Sequence, residues 1–359
     1  MIDEKNYIPA FKQLKDILLD RIQKTKPDTK IDSIRDLRKE FNISQATVDR
    51  TLYELEQEGL IYKVQGKGTF VADRKTSEPV RKGTIALIIP QINFSTFFSN
   101  IAQGVENEAF KLGYQMIVCS SYENISREKE YIKRLLQNNT EGIIYASSAS
   151  EPDEYLHIDE IASKIPLTVI DVALKNVNSD YVTTDDEAGA FDAVSHFISQ
   201  GHKRIAIMTT PTSKEISTMS KRLEGYKKAL ETHGIAVDRD LILTSEHCDF
   251  EHGYRAMDRA LRSKFDATAL FCASDNLGTG ALQALYDHNV KIPDEISVIG
   301  YGNLKLDNPY KLTMSTVVQP TMEMGKKAVE LLNEKFEKKR PLFSYKEVIL
   351  PVRLEINET

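Results

Sequence analysis

The stretch Ser44–Gly59, S-Q-A-T-V-D-R-T-L-Y-E-L-E-Q-E-G, decides how the first part of this 359-residue chain is read. Val48, Leu52 and Leu55 recur at i, i+4 and i+7, which predicts a short helix with one apolar stripe. Ser44 suits the N-cap, where its hydroxyl accepts from the N–H of Thr47. Gly59 suits a left-handed residue that closes the helix. The other face of the first turn carries Gln45, Thr47, Asp49 and Arg50, with small Ala46 among them. Taken alone, this is an ordinary surface helix.

Its neighbours change that reading. Upstream, Ile34, Leu37 and Phe41 line a second short helix, Ser33–Phe41, which opens on the capping-box pair Ser33 and Asp36. Asn42-Ile43 is the short, sharp connection of a helix-turn-helix. Downstream, Leu60–Val64 and Thr69–Ala72 flank Gln65-Gly66-Lys67-Gly68, the pattern of a hairpin. A helix-turn-helix followed at once by a hairpin is a winged helix. Such a unit places the first turn of its second helix in the major groove and the wing tip near the backbone or minor groove. Residues 7–24 supply a first helix, with Pro9 at its first position and Phe11, Leu14, Ile17, Leu18 and Ile22 on its apolar side.

The runs I-D-S-I-R-D-L, N-I-S-Q-A-T-V-D-R-T-L and E-G-L-I-Y-K-V-Q-G-K-G-T-F-V resemble the DNA-binding domain of GntR-type transcriptional regulators over nearly all of residues 7–72. The resemblance implies that Arg35 meets the DNA backbone or a base. It also implies that Ser44, Gln45, Ala46, Thr47 and the wing-tip Gly66, with Lys67 beside it, face DNA. Gln45 and Asp49 stand where that family usually has Arg. Gln reads adenine where Arg reads guanine, so a different operator is expected. Asp49 repels phosphate, and Arg50 is expected to take over its contact.

The whole composition is that of a globular protein, 41% hydrophobic and 28% charged, and its length allows two or three domains. The net charge of −6 argues against nonspecific nucleic-acid binding, but residues 1–72 carry 13 Lys and Arg against 12 Asp and Glu, so the acid excess lies downstream. A nearly neutral reading head implies few phosphate contacts per subunit, which favours a homodimer on two half-sites. The start M-I-D-E-K-N has no signal-peptide pattern, and no apolar run is long enough to span a bilayer. Cys119, Cys248 and Cys272 lie far apart; a reducing cytoplasm fits them, and Cys119 and Cys272 sit in apolar runs as core residues.

Asp73–Lys82 carries six charges and a proline in ten residues and reads as a linker. From Thr84 the rhythm becomes strand and helix in alternation. Ile85–Pro90 is a near-continuous apolar strand of the kind buried on both faces, followed by helix Ile101–Leu112, strand Tyr114–Cys119, helix Arg127–Gln137, strand Gly142–Tyr145 and, after another helix, strand Pro166–Asp171. A second series runs from near Tyr181 through helix Ala188–Gln200, strand Arg204–Met208, helix Arg222–His233, strand Asp240–Leu243, helix Glu251–Leu261, strand Ala269–Cys272, helix Leu277–His288 and strand Ser297–Gly300. Two such series predict an α/β fold with two lobes, each a doubly wound parallel sheet, and a ligand in the cleft at the strand ends. The expected domains are therefore 1–72, a linker 73–82, and 83–359.

The motifs T-I-A-L-I-I-P, I-P-L-T-V-I-D, Q-G-H-K-R-I-A, R-L-E-G-Y, A-S-D-N, I-P-D-E-I-S-V-I-G-Y and L-T-M-S-T-V-V-Q-P, in that order, resemble the LacI-type effector domain, itself similar to periplasmic sugar-binding proteins. A GntR-type head on a LacI-type body looks like the group that includes arabinose-responsive repressors. The resemblance implies three crossovers between lobes, near Thr183, near Gln319 and after about Leu342.

Candidate effector contacts follow from the strand ends. Asp171 can accept from sugar hydroxyls, and Arg222, opening the helix of R-L-E-G-Y, offers five donors. Phe97, Phe98 and Phe250 suit stacking on the apolar face of a sugar. Ser274 and Asp275 stand in the A-S-D-N turn, and Ser147 and Thr218 are weaker additions. Singly, the phenylalanines also read as core, and Asp171 and Arg222 as a structural ion pair or helix cap. Where the LacI-type pattern has G-[FY]-D-[DEN], this chain has G-Y-G-N. Gly302 supplies no carboxylate, and Asn303 or Gln319 is expected to make that contact unless the ligand lacks a hydroxyl there, as a deoxy sugar does. His247, Cys248 and His252 fit no common zinc spacing, and neither a phosphate loop nor a nucleophile elbow is present, so no enzyme, metal or cofactor is expected. The reading is a cytoplasmic, dimeric repressor of sugar-utilisation genes that releases operator DNA when a sugar or sugar derivative binds. The alternative is a sugar-binding protein or sugar-processing enzyme that does not read DNA.

Overall fold

The computed structural model describes residues 9–57, 59–64, 66–72, 83–92, 97–138, 140–147, 155–174, 176–211, 218–263, 265–304 and 310–359. The chain forms two compact units, Met1–Lys82 and Gly83–Thr359. The expected linker Asp73–Lys82 and Gln65 of the expected hairpin turn lie outside the described residues.

In the first unit, helices α1 (Ala10–Gln23), α2 (Ile34–Phe41) and α3 (Gln45–Gln57) precede strands β1 (Ile61–Val64) and β2 (Gly68–Val71). The two short helices start where their caps dictate. The Ser33 hydroxyl accepts from the Asp36 N–H, and the Ser44 hydroxyl from the Thr47 N–H, each at 3.2 Å. Asn42 turns the chain between them in the left-handed region, at φ 53°, and Gly59 closes α3 at φ 67°. Pro9 precedes α1 rather than opening it: its φ of −55° is helical but its ψ of 141° is not, so it is the N-cap. The strands pair antiparallel from Ile61↔Val71 to Val64↔Gly68, and Lys30 bridges to Phe70. Leu14, Leu18, Leu37, Val48, Leu52, Leu55, Ile61 and Val71 form one core. Each such side chain contributes about 1.5–3 kcal/mol on burial.

The second unit opens with β3 (Thr84–Ile89), α4 (Phe97–Leu112), β4 (Gln115–Ser120), α5 (Ile125–Gln137), β5 (Thr140–Tyr145), α6 (Leu156–Ala162), β6 (Leu167–Ile170) and β7 (Asp180–Thr184). It continues with α7 (Asp186–Ser199), β8 (Ile205–Thr209), α8 (Thr218–Thr232), β9 (Ile242–Thr244), α9 (Phe250–Leu261), β10 (Ala269–Cys272), α10 (Asp275–Asp287), β11 (Ser297–Tyr301) and β12 (Ser315–Val318). The chain ends with α11 (Thr321–Phe336), β13 (Glu347–Leu350) and β14 (Arg353–Glu355).

Among the described residues these strands make two six-stranded sheets, in the orders β13-β7-β6-β5-β3-β4 and β14-β12-β11-β10-β8-β9. All pairs are parallel except β12 with β14. Period-two geometry explains the unbroken apolar strands. Ile85, Leu87 and Ile89 face the layer that holds α4 and α11, while Ala86 and Ile88 face the other. In the second lobe Ala206 and Met208 oppose Ile205 and Ile207 in the same way.

The chain crosses between lobes after β7, after β12 and between β13 and β14. The last crossing falls later than expected, because β13 first pairs with β7 from Glu347↔Tyr181 to Leu350↔Thr184.

Several helices begin before their expected starts. Helices α4, α5, α7, α8, α9 and α10 open at Phe97, Ile125, Asp186, Thr218, Phe250 and Asp275. The apolar stripe finds the body of a helix, whereas its first turn is made of capping and loop-facing residues. Asn124, Asp185, Asp249 and Ser274 are the caps of α5, α7, α9 and α10. Arg222 accordingly lies a full turn inside α8 instead of opening it. The expected strand Asp240–Leu243 is also displaced. The Asp238 carboxylate accepts from the Asp240 N–H at 3.0 Å and holds Arg239–Leu241 as a 3₁₀ turn, so β9 begins only at Ile242.

Glycines let the helices of each layer approach closely. A Cβ on Gly104 of α4 would collide with the Met322 carbonyl of α11, and one on Gly225 of α8 with the Glu187 carbonyl of α7. Gly104→Ala and Gly225→Ala are each expected to lower stability by about 1–3 kcal/mol, read as a shift in the urea midpoint. An unchanged midpoint would mean that these helices separate without cost.

Candidate functional site

A cavity of about 240 Å³ opens between the two sheets of the second unit, at the carboxyl ends of their strands. The first lobe contributes Gln91 after β3, Phe97 and Phe98 at the start of α4, Glu123 after β4 and Asp171 after β6. The second contributes Thr218 and Arg222 from α8, Cys248 ahead of α9, Ser274 and Asn276 around the start of α10, and Tyr301 at the end of β11. Gln319, on the crossover after β12, completes the wall. A larger depression of about 380 Å³ along α7 and α8, lined by Asp185, Glu187, Phe191 and Lys228 among others, gathers none of the expected contacts.

Arg222 is the centre of the cavity's polar wall. Its Nε donates to Asp186 Oδ1 at 2.8 Å, with Nη2 at the same distance, and Nη1 donates to the Ala273 carbonyl at 2.7 Å. Nη2 also reaches Gln319 Oε1 at 3.5 Å, and the guanidinium lies 3.7 Å from the centroid of the Tyr301 ring. Gln319 in turn donates from Nε2 to Thr184 Oγ1 at 2.9 Å. Of the two roles foreseen for Arg222, ligand contact and structural ion pair, the geometry gives it the ion pair and still leaves it in the cavity wall.

Asp171 follows β6 with φ +77°, a backbone conformation that a non-glycine residue holds only when its surroundings impose it. Its backbone is pinned: the N–H donates to the Val182 carbonyl at 2.9 Å, and its own carbonyl accepts from the Thr183 hydroxyl at 2.7 Å. Burial and the nearby Asp186 carboxylate push its acid up to about 7, against the opposing pull of Arg222.

Three expected contacts are not brought to the cavity. Asp275 is buried behind the wall, where it accepts from the Leu304 N–H at 2.7 Å and from the Thr316 hydroxyl at 2.8 Å. It braces the turn at Gly302, and burial pushes its acid up to about 6. Phe250 is largely exposed at the first position of α9. Ser147 lies 3.3 Å from the Tyr145 hydroxyl, which donates to buried Glu128 at 2.8 Å. Gly302 lines the cavity at φ +133°, a conformation that side chains rarely adopt. A glycine there answers a backbone requirement. Gln91, Glu123, Cys248, Asn276 and Tyr301 line the cavity without having been named as effector contacts from the sequence. Each ends or follows a strand or stands in the first turn of a helix, so the strand-end rule applied at every turn would have found them.

In the first unit the residues expected to face DNA occupy exposed positions on α2, α3 and the hairpin. Arg35, Ser44, Gln45 and Ala46 are exposed; Thr47 is half-buried, its hydroxyl 2.8 Å from that of Ser44. Gly66 and Lys67 are exposed at the hairpin tip, Gly66 at φ +76°. Arg50 is held within the unit: its guanidinium lies 3.6 Å from the centroid of the Phe11 ring and 3.4 Å from Glu54. Taking over a phosphate from Asp49 would require it to leave Phe11.

Among the described residues no group of three or more His, Cys, Asp or Glu side chains could hold a metal, and no helix is long and apolar enough to cross a membrane. The His247 and His252 rings meet edge to face at 4.7 Å, and His252 Nδ1 lies 2.8 Å from Asp249.

Comparison with known proteins follows the same division. Residues 82–351 match the family of periplasmic binding proteins and sugar binding domain of the LacI family, and residues 11–71 match the bacterial regulatory proteins of the gntR family. The chain is similar to the arabinose metabolism transcriptional repressor of Geobacillus stearothermophilus, 29% identical over 92% of each chain. It is similar also to catabolite control protein A of Priestia megaterium, 28% identical over 91% of this chain and 98% of that protein. Among solved structures, a LacI family transcriptional regulator from Enterococcus faecium with bound ribose superposes with a TM-score of 0.65 at 29% identity, over 77% of this chain and 97% of that one.

The raised acid of Asp171 has a consequence for stability. Its folded value of about 7 lies above the unfolded value near ~3.9, so between the two the native state holds the extra proton. The stability cost of ionising Asp171 is absent at acid pH, grows as pH rises through that window and is complete above it. Asp171→Asn is therefore expected to raise the thermal midpoint of the ligand-free protein more at pH 8 than at pH 5, by about 2–4 °C for each kcal/mol relieved. Equal shifts at both pH values would mean that Asp171 titrates in the usual carboxylate range.

Proposed function

Because the chain belongs to the family of periplasmic binding proteins and LacI-type sugar binding domains, and opens with a gntR-type DNA-binding domain, we propose that it is a sugar-responsive transcriptional repressor. What carries this reading is one cavity built jointly by two lobes, on a chain whose first unit exposes Gln45, Ala46 and Arg35. Residues 1–72 are the reading head, 73–82 the linker and 83–359 the effector and dimerisation domain. Arg35, Ser44, Gln45, Ala46, Thr47, Gly66 and Lys67 meet operator DNA. Phe97, Phe98, Asp171, Thr218, Arg222, Ser274 and Gln319 meet the effector.

The protein acts in the cytoplasm as a homodimer. The near balance of charge in residues 1–72 supports this, since a head with few phosphate contacts gains affinity by engaging two half-sites. Effector binding alters the relation of the two lobes and, through the dimer, releases the operator. The cleft carries out no catalysis, in keeping with the regulators named among its relatives.

The test is thermodynamic reciprocity. A binding site selected from random duplex DNA, and whichever of L-arabinose, D-ribose, D-xylose, D-glucose and cellobiose stabilises the protein, are titrated separately and together. The sugar is expected to weaken operator binding about 5–150-fold and the operator to weaken sugar binding by the same factor. It should also slow iodoacetamide labelling of Cys248 in the cavity wall, Cys119 and Cys272 being buried. Equal sugar affinity with and without operator would exclude the proposal. Operator binding that survives Arg35→Ala with Gln45→Ala would remove the assigned head residues.

A further inference from the structure

The hairpin of the first unit has a third segment along it. Residues 28–31 run beside β2: the Asp28 N–H donates to the Val71 carbonyl, the Val71 N–H to the Thr29 carbonyl and the Ile31 N–H to the Thr69 carbonyl, each at 2.9 Å. Lys30 thereby stands opposite Phe70. Alternation fixes the faces. Ile31 packs against the core of the unit, and Lys30 takes the other face, where the Tyr62 and Phe70 rings stack 5.6 Å apart.

Gly68 is the next residue of β2 on that face. The side chain of Lys30 fills the place that a side chain at 68 would take: a Cβ there would stand 2.6 Å from Lys30 Cε and 3.2 Å from Nζ. The ammonium is carried in this way from the middle of β2 towards the hairpin tip. There Lys67 is exposed, and a Cβ on Gly66 would meet nothing within 4 Å.

Pairing separates the cations that brace this unit from those that do not. Lys15, Arg21, Lys24, Arg50 and Lys63 each meet a carboxylate. The carboxylates nearest Lys30 along the chain are engaged elsewhere, Asp28 by the Tyr62 hydroxyl at 2.6 Å and Asp32 by Arg21 at 3.3 Å. Lys30 is exposed, and among the described residues it has no ion-pair partner. An unpaired ammonium beside a bare backbone turn suits a phosphate oxygen, since a compact charge with three donors makes little demand on geometry.

We propose that Lys30 is a DNA-backbone contact of this unit, holding an operator phosphate next to the hairpin tip and adding affinity without reading sequence. The proposal rests on the first unit being the reading head, and it adds a residue from outside both the helix-turn-helix and the hairpin.

The test is the salt dependence of binding. Full-length protein is titrated by fluorescence anisotropy with the duplex selected from random DNA and with a duplex of shuffled sequence, between about 50 and 200 mM salt. Each phosphate contact contributes about 0.9 to the slope of log K against log salt. Lys30→Gln is expected to reduce the slope by about that amount per head and to weaken both duplexes by the same factor. Lys30→Arg should keep the slope. Lys24→Gln removes the same charge from a side chain already paired with Asp20 and should leave the slope unchanged. An unaltered slope in Lys30→Gln, a loss confined to the selected duplex, or an equal loss in Lys24→Gln overturns the inference and leaves the repressor reading standing. A wild-type protein that selects no duplex removes both.

Discussion

The buried guanidinium of Arg222 is the interaction on which the effector unit depends. Its partners come from separate elements: Asp186 from α7, the Ala273 carbonyl beyond β10, Gln319 from a crossover and the Tyr301 ring at the end of β11. A buried charge of this kind is stable only when its donors are met on several sides at once. A lysine could not replace it, because a point charge has neither the planar set of donors nor a flat face to lay on Tyr301. The pair costs desolvation, and what it contributes is position: the start of α7 and three strand ends are located relative to one side chain.

That position matters because Gln319 is shared. Its amide nitrogen donates to Thr184 at the first crossover, and its amide oxygen faces Arg222 in the cleft wall. The Asp185 N–H donates to the Leu350 carbonyl at 3.1 Å, joining the first crossover to the last. A change in how Arg222 or Gln319 is engaged therefore reaches the segments about which two lobes can turn. This is the kind of element that a ligand biases when it binds one arrangement better than another. Asp171, held at positive φ in the same wall, places a carboxylate where burial works against its charge, an arrangement typical of functional sites.

Much of this was legible along the chain, and the misses have physical causes. Period-two and period-3.6 patterns report which face is buried, so the strands and the bodies of the helices could be located from Ile85, Leu87 and Ile89 or from Val48, Leu52 and Leu55. The first turns of helices carry no such signal. Asp186 pairs with Arg222, Thr218 lines the cleft and Asp275 braces a loop, and each was left outside its helix. Asp275 shows the limit on site residues: a carboxylate beside a strand end points either at the ligand or at its own backbone, and the Leu304 N–H decides for the backbone. Arg50 shows the same in the first unit, where its guanidinium lies over the Phe11 ring rather than standing free on the surface of α3.

The sequence by itself determined the two architectures, because alternation, caps and turn residues are local properties. It also determined where a ligand would meet the fold, because strand ends are where a doubly wound sheet opens. Only the tertiary structure decided which of the described carboxylates line the cleft and which turn away from it. That Asp186 is committed to Arg222, that Asp275 faces inward, and that Glu123 and Asp171 stay on the wall depends on contacts between residues far apart in the chain. Side-chain pairing is set by distance in space, and spacing along the sequence does not encode it.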